Sequence, residues 1–171
     1  FHHAGVECSE EEARRPMGMH KRDHIREMLK QPEIAERWHR RYGRAWTEQD
    51  VQQLYERFLP LQTACLLAFN QVIPGARETV ARWRAEGRKV MATTGYNREM
   101  TRLVVDDAAR QGLVFDGFCC AEDVAAGRPA PWMIFRCMEA SGVYPPSAVL
   151  AVGDTLADIE AGRNAGVWTV G

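Results

Sequence analysis

From about Val72 onward, short apolar runs alternate with stretches of helix length, and no other feature limits the fold so strongly. Arg88-Lys89-Val90-Met91-Ala92-Thr93-Thr94 reads as a strand, and Arg98 to Gln111 as a helix ending at Gly112. Phe118-Cys119-Cys120, Ala148 to Val152 and Val167 to Val170 read as further strands, separated by helices over Trp132 to Ser141 and Asp158 to Ala165. Parallel strands need a crossover of a dozen or more residues, which a helix supplies. The spacing therefore predicts a parallel sheet built from βαβ units. Ligands of such sheets bind beyond the carboxyl ends of the strands.

Residues 9 to about 70 carry a helical pattern throughout. Ser9 with Glu12 forms a capping-box signature, and Glu10 and Glu11 suit the positive end of a helix. Pro16 interrupts, and a second helix is expected from Met17 to Leu29. Thr47 with Asp50 marks another helix start, followed by Val51, Leu54, Tyr55, Phe58 and Leu59 at helical spacing. The expected division is an α-helical domain over 1–70 and an α/β domain over 71–171. Phe1 to Val6 reads as the end of a helix closed by Gly5, and Val167 to Gly171 as a strand just completed, so a piece of a longer protein is expected.

A formal net charge of -1 gives no electrostatic reason to expect nucleic acid or an anionic membrane as partner. No apolar run reaches spanning length, and no signal segment opens the chain. Cys8, Cys65, Cys119, Cys120 and Cys137 form no CxxC pair, so they are expected to be reduced thiols packed in the core of a cytoplasmic protein.

Val152-Gly153-Asp154-Thr155-Leu156-Ala157-Asp158 is the strongest local motif. A strand delivers two carboxylates, Asp154 and Asp158, to the mouth of the sheet, where hard oxygen ligands suit Mg²⁺. The plainer reading of Asp154 is a helix N-cap. Thr93-Thr94-Gly95-Tyr96 ends an earlier strand with a hydroxyl and free backbone N–H groups, suited to phosphate oxygens or to capping. Arg128, between Gly127 and Pro129 in the loop before a helix, is a further phosphate candidate. Its plainer reading is a surface arginine.

Met17-Gly18-Met19-His20-Lys21-Arg22-Asp23-His24 contains the remaining candidates. A nucleophilic lysine must lose a proton, which at an ordinary pKa of ~10.4 requires burial or nearby positive charge. His24 shares a helix face with Lys21 at i+3, and Met17 is expected one turn earlier as apolar cover. Most lysines are simply solvated, so Lys21 taken by itself argues little.

Taken together, these motifs resemble the phosphonoacetaldehyde hydrolase family within the haloacid dehalogenase-like hydrolases. The resemblance rests on Glu11-Glu12-Ala13-Arg14 through Met17-Gly18 to Lys21 and His24, then Thr94-Gly95-Tyr96 and Ala126-Gly127-Arg128-Pro129 with Pro131-Trp132. It continues through Val152-Gly153-Asp154-Thr155 and Asn164-Ala165-Gly166-Val167-Trp168-Thr169-Val170-Gly171. It implies a Rossmann-like α/β core with a small α-helical cap inserted after the first strand. It also implies a Schiff base at Lys21, proton handling at His24, and a supporting cap role for Met17. Phosphate contacts would fall to Thr94, Gly95 and Arg128, substrate lining to Tyr96, and Mg²⁺ to Asp154 and Asp158. A homodimer through the cap is implied as well. The family's nucleophilic aspartate lies in a DxxGT motif upstream of the cap. No such motif occurs in residues 1–171, so these residues alone are expected to be inactive. The rival readings are a general phosphatase of the same superfamily and a non-catalytic phosphate-binding module.

Overall fold

A computed structural model describes residues 1–171, the side chain of Leu67 excepted. The first part is helical. A 3-10 turn over His2–Ala4, closed by Gly5, leads into α1 (Glu10–Arg14), α2 (Lys21–Lys30), α3 (Pro32–Tyr42) and α4 (Glu48–Leu66). At Ser9 the capping box forms as its signature predicts. The Glu12 N–H donates to Ser9 Oγ at 3.2 Å, and the Ser9 N–H donates to Glu12 Oε2 at 2.7 Å. Pro32 opens α3 where its missing N–H would have no helical partner anyway. Leu29, Ile34 and Val51 are completely buried between the helices, with Val6 and Trp38 beside them.

Two expectations are corrected here. The helix expected from Met17 begins at Lys21, because Gly18 takes a positive φ of 87° that no α-helix accommodates. Lys21 is therefore the first residue of α2, and Met17 is not one helical turn ahead of it. Core packing holds for Cys119, Cys120 and Cys137, but Cys8 is half-buried and Cys65 is exposed. The buried residues of α4 all lie in its first two turns, so its far end runs past the core and leaves Cys65 without cover.

Beyond a 3-10 turn over Leu67–Phe69, the chain alternates as expected. The elements are α5 (Ala76–Ala85), β1 (Met91–Thr94), α6 (Arg98–Arg110), β2 (Gly117–Cys120), α7 (Trp132–Ser141), β3 (Leu150–Val152), α8 (Leu156–Ala165) and β4 (Trp168–Val170). β1 pairs with β2 in parallel, Thr93 opposite Cys119. β3 pairs with β4 in parallel, Val152 opposite Val170. Among the described residues the strands form two separate pairs rather than one continuous sheet. Between the pairs lies a cavity of about 860 Å³, lined by Val90, Met91 and Thr93 on one side and Leu150, Val152 and Asp154 on the other. Neighbouring strands sit only ~4.8 Å apart, so β1 and β3 are too far separated to pair across it. Cys119, Met133 and Cys137 form a small core beneath. Among the described residues no helix is long and apolar enough to cross a membrane.

Candidate active site

The carboxyl end of β1 and the start of α8, which follows β3, face the same region, and Arg128 joins them. Its Nε lies 2.9 Å from Asp158 Oδ1, and its Nη2 donates to the Thr93 carbonyl at 2.7 Å and to Thr93 Oγ1 at 2.9 Å. Nη1 reaches the carbonyl of Gly18 at 3.3 Å. The Arg128 and Asp158 side chains are only 11% and 16% exposed, so the pair is largely desolvated. One planar guanidinium thus ties together the end of β1, the start of α8 and the loop leading into α2. Four of its five N–H groups are taken up by these contacts, so as placed it offers a phosphate one N–H, and a bidentate grip requires release of a protein partner.

Around Asp158 the plainer reading of the motif is redistributed. Thr155, not Asp154, is the N-cap of α8, and it forms a capping box with Asp158. Thr155 N and Oγ1 donate to Asp158 Oδ2 at 3.2 and 2.5 Å. Both carboxylate oxygens of Asp158 are therefore engaged, one by Arg128 and one by Thr155. Asp154 stands exposed at the end of β3. Among the described residues no three His, Cys, Asp or Glu side chains cluster as a metal cage. An exposed carboxylate at a strand end nevertheless fits the habit of Mg²⁺, which uses one or two carboxylates with phosphate and water. Asp154 meets that description. Asp158 meets it only if it releases Arg128 or Thr155.

The helical part sits directly on these loops. A Cβ at Gly95 would fall 2.7 Å from the carbonyl oxygen of Met19, and one at Gly18 would fall 2.2 Å from Thr155 Oγ1. Gly95, expected to bind phosphate, is therefore also a seat for the segment that precedes Lys21. Thr94 Oγ1 accepts from the Tyr96 N–H at 3.2 Å. Tyr96 is half-buried, which pushes its phenol pKa up.

Lys21 is half-buried, and that burial lowers its ammonium pKa. Its place at the head of α2 adds a second push in the same direction, because the helix dipole disfavours positive charge there. His24 lies on the same face of α2 and is buried. Its pKa is lowered by burial and then by the charge of Lys21. Met17 is 46% exposed and lies outside the helix, so it is not placed one helical turn ahead of Lys21.

Several contributors were missed in the sequence. Thr93 rather than Thr94 holds Arg128, and Thr155 holds Asp158. His20 packs its ring 5.7 Å from that of Tyr55 on α4, and burial lowers its pKa. Only Thr155 had a usable signal, since Thr155 and Asp158 stand three residues apart as capping-box partners do.

A family model described as haloacid dehalogenase-like hydrolase matches residues 4–166. A phosphonoacetaldehyde hydrolase from Bacillus cereus (strain B4264) is 44% identical over all 171 residues, which span 65% of its length. The crystal structure of a phosphonoacetaldehyde hydrolase-like protein from Oleispira antarctica matches with a TM-score of 0.97 and 38% identity. That match covers the whole of this chain and 62% of the other. A predicted phosphoglycolate phosphatase from Haemophilus somnus, 18% identical, matches with a TM-score of 0.77 over 99% of this chain and 72% of its own, a likeness of fold alone. The chain thus spans less than two thirds of the length of the first two relatives.

Proposed function

The chain belongs to the haloacid dehalogenase-like hydrolase family, and from that premise we propose that it forms the helical cap and part of the core of a phosphonoacetaldehyde hydrolase. The reading is carried by one observation. Lys21, half-buried and at the positive end of α2, follows a loop that Arg128 holds against the end of β1 and the start of α8. A plain phosphatase has no use there for a lysine whose ammonium form is disfavoured by burial. An enzyme that must stabilise a departing carbon does.

Lys21 would condense with the substrate aldehyde. The protonated imine withdraws electrons as the carbon–phosphorus bond breaks, and the carbon departs as an enamine. An aspartate from outside these 171 residues would accept the phosphorus as an aspartyl phosphate. Hydrolysis of both adducts gives phosphate and acetaldehyde. The remaining N–H of Arg128 and the end of β1 at Thr94 and Gly95 would hold the phosphonate oxygens, and Tyr96 would line the aldehyde side. Mg²⁺, when bound at Asp154, supplies neutralisation of phosphoryl charge. Asp158 then serves by orienting Arg128. Without the upstream aspartate the 171 residues would not turn over. By the same resemblance the protein is a cytoplasmic homodimer joined through its helical part.

Lys21→Arg in the full-length protein tests the reading. Carbon–phosphorus cleavage should fall by about 10³-fold or more, since the covalent step is removed rather than weakened. Retained cleavage would contradict the assignment. Phosphate-ester hydrolysis that is robust in both forms would instead favour a general phosphatase.

A further inference from the structure

Between α4 and α5 the chain passes from the helical part to the α/β part. Phe69 and Ile73 on that passage are 85% and 73% exposed, so their apolar side chains do little to hold it. What grips it is a side-chain amide. Gln111, the C-cap of α6, accepts from the Val72 N–H at 2.9 Å and donates to the Asn70 carbonyl at 2.8 Å. A residue on a parallel neighbouring strand would make the same two bonds. Gln111 also donates to Asp107 Oδ2 at 2.7 Å, and the Asn70 side chain donates to the same oxygen at 2.9 Å. The amide can face only one way. Turned over, it would set hydrogen against hydrogen at Val72 and oxygen against oxygen at Asn70 and Asp107. Hydrogen bonds from Arg110, then from Asn70 and Gln111, hold the Asp107 carboxyl below its ordinary pKa, so it stays a pure acceptor.

α6 carries this grip to the candidate site. Its N-cap, Asn97, directly follows Thr94-Gly95-Tyr96, and its 13 residues end at Gln111. A helix of that length spans ~20 Å, so the site loop is at the head of a stiff rod and the grip at its tail. The helical part encloses a core of its own, from Ala4 to Leu54, which takes no residue from the α/β part. Its pose is therefore set from outside that core. One tie is the seam, where Arg128 reaches the Gly18 carbonyl at 3.3 Å and Met19 lies against Gly95. The others are the packing of α4 against α6 and the grip on residues 70–72.

Substrate must pass the seam to reach Lys21, whereas the grip lies at the other end of α6 and can stay closed while the seam opens. Resting on the Schiff-base reading above, we propose that Gln111 is a positioning residue for the reaction: it fastens residues 70–72 to the tail of α6, and so holds Lys21 at a constant place relative to the Thr94-Gly95 loop at the head of the same helix. Asp107 and Asn70 complete the fastening by taking up the amide hydrogen that the passage leaves free.

The test uses full-length protein. Gln111→Leu removes all three amide bonds, and Gln111→Glu keeps the one from Val72 but sets oxygen against oxygen at Asn70 and Asp107. At saturating phosphonoacetaldehyde, borohydride trapping of the Lys21 adduct should slow by about 10-fold or more in both, because a displacement of ~1 Å caused far from the chemistry costs that much. Affinity for inorganic phosphate, measured by calorimetry with Mg²⁺ present, should stay within about twofold, as expected for a distant site. A parent-like trapping rate in either folded variant would overturn the proposal. An equal loss of phosphate affinity would overturn it too, since it marks general damage rather than a lost position. Absence of any adduct in the parent would overturn the Schiff-base reading instead. The grip is then judged separately, by spin labels at the exposed positions Arg40→Cys on α3 and Arg102→Cys on α6, with accessible cysteines, Cys8 and Cys65 included, changed to Ser. Their distance distribution should be narrow in the parent and broader in Gln111→Leu. Equal widths would overturn the grip whatever the fate of the adduct.

Discussion

In the helical part Leu29, Ile34 and Val51 are completely buried, whereas Leu150, Val152, Trp168 and Val170 on β3 and β4 are each at least half exposed. The contrast follows from how the two kinds of element satisfy their backbones. A helix makes its hydrogen bonds internally, so a few amphipathic helices close a core by side-chain packing alone. A strand takes its partners from its neighbours, and a two-stranded pair leaves a row of donors and acceptors open on each outer edge. The helical part therefore supplies a firm platform, while the loops after β1 and β3 are held on strands that face a cavity. Arg128 and the loop from Gly18 to His20 link the two, and Lys21 sits just beyond that link.

The contrast can be tested by substitutions on either side. Ile34→Ala, which empties a fully buried site, should destabilise the protein by about 2–5 kcal/mol in urea unfolding. A much smaller loss would mean that the helical core is looser than its burial implies.

Acidification should act next, and mainly on the helical part. His20 and His24 are held below their ordinary pKa by burial. Asp50 is held down to about 2 by hydrogen bonds from Arg44, and Glu12 to about 2 by its hydrogen bond from Arg37. In every case the unfolded chain binds protons at a higher pH than the folded one, so stability falls as pH falls. The loss should begin below about pH 6.5 through the histidines, then deepen from about pH 4 toward 2 through the carboxylates. Thermal unfolding followed by circular dichroism at stepped pH would reveal the two stages. A midpoint that holds constant from pH 7 to 3 would show that these groups are not buried as described.

The smallest effect is expected at Val152→Ala, within about 0.5 kcal/mol, because the side chain is 64% exposed and has little packing to lose. Measured in the full-length protein, the same substitution sharpens the contrast. A cost of about 2 kcal/mol or more there would mean that further chain covers β3.

What could be read in the sequence was local. The strand–helix alternation survives because each run carries its own periodicity, and Ser9 with Glu12 survives because a cap depends on residues three apart. The helix start at Met17 failed because one glycine conformation overrode a continuous helical pattern. Separation of the strands into two pairs was not legible, since pairing joins residues far apart in the chain. The same holds for Arg128, whose partners Gly18, Thr93 and Asp158 come from three distant segments. The Ala13 carbonyl, 2.8 Å from His24 Nε2, is a backbone atom, which no residue type announces.

The central claim is that Lys21 is the nucleophilic amine, and it is tested most directly by mass spectrometry. Full-length protein treated with phosphonoacetaldehyde and then borohydride should carry a single reduced adduct, and peptide mapping should place it on Lys21 rather than on Lys30 or Lys89. A folded, full-length protein that forms no adduct at Lys21 would contradict the account and leave an ordinary phosphatase in its place.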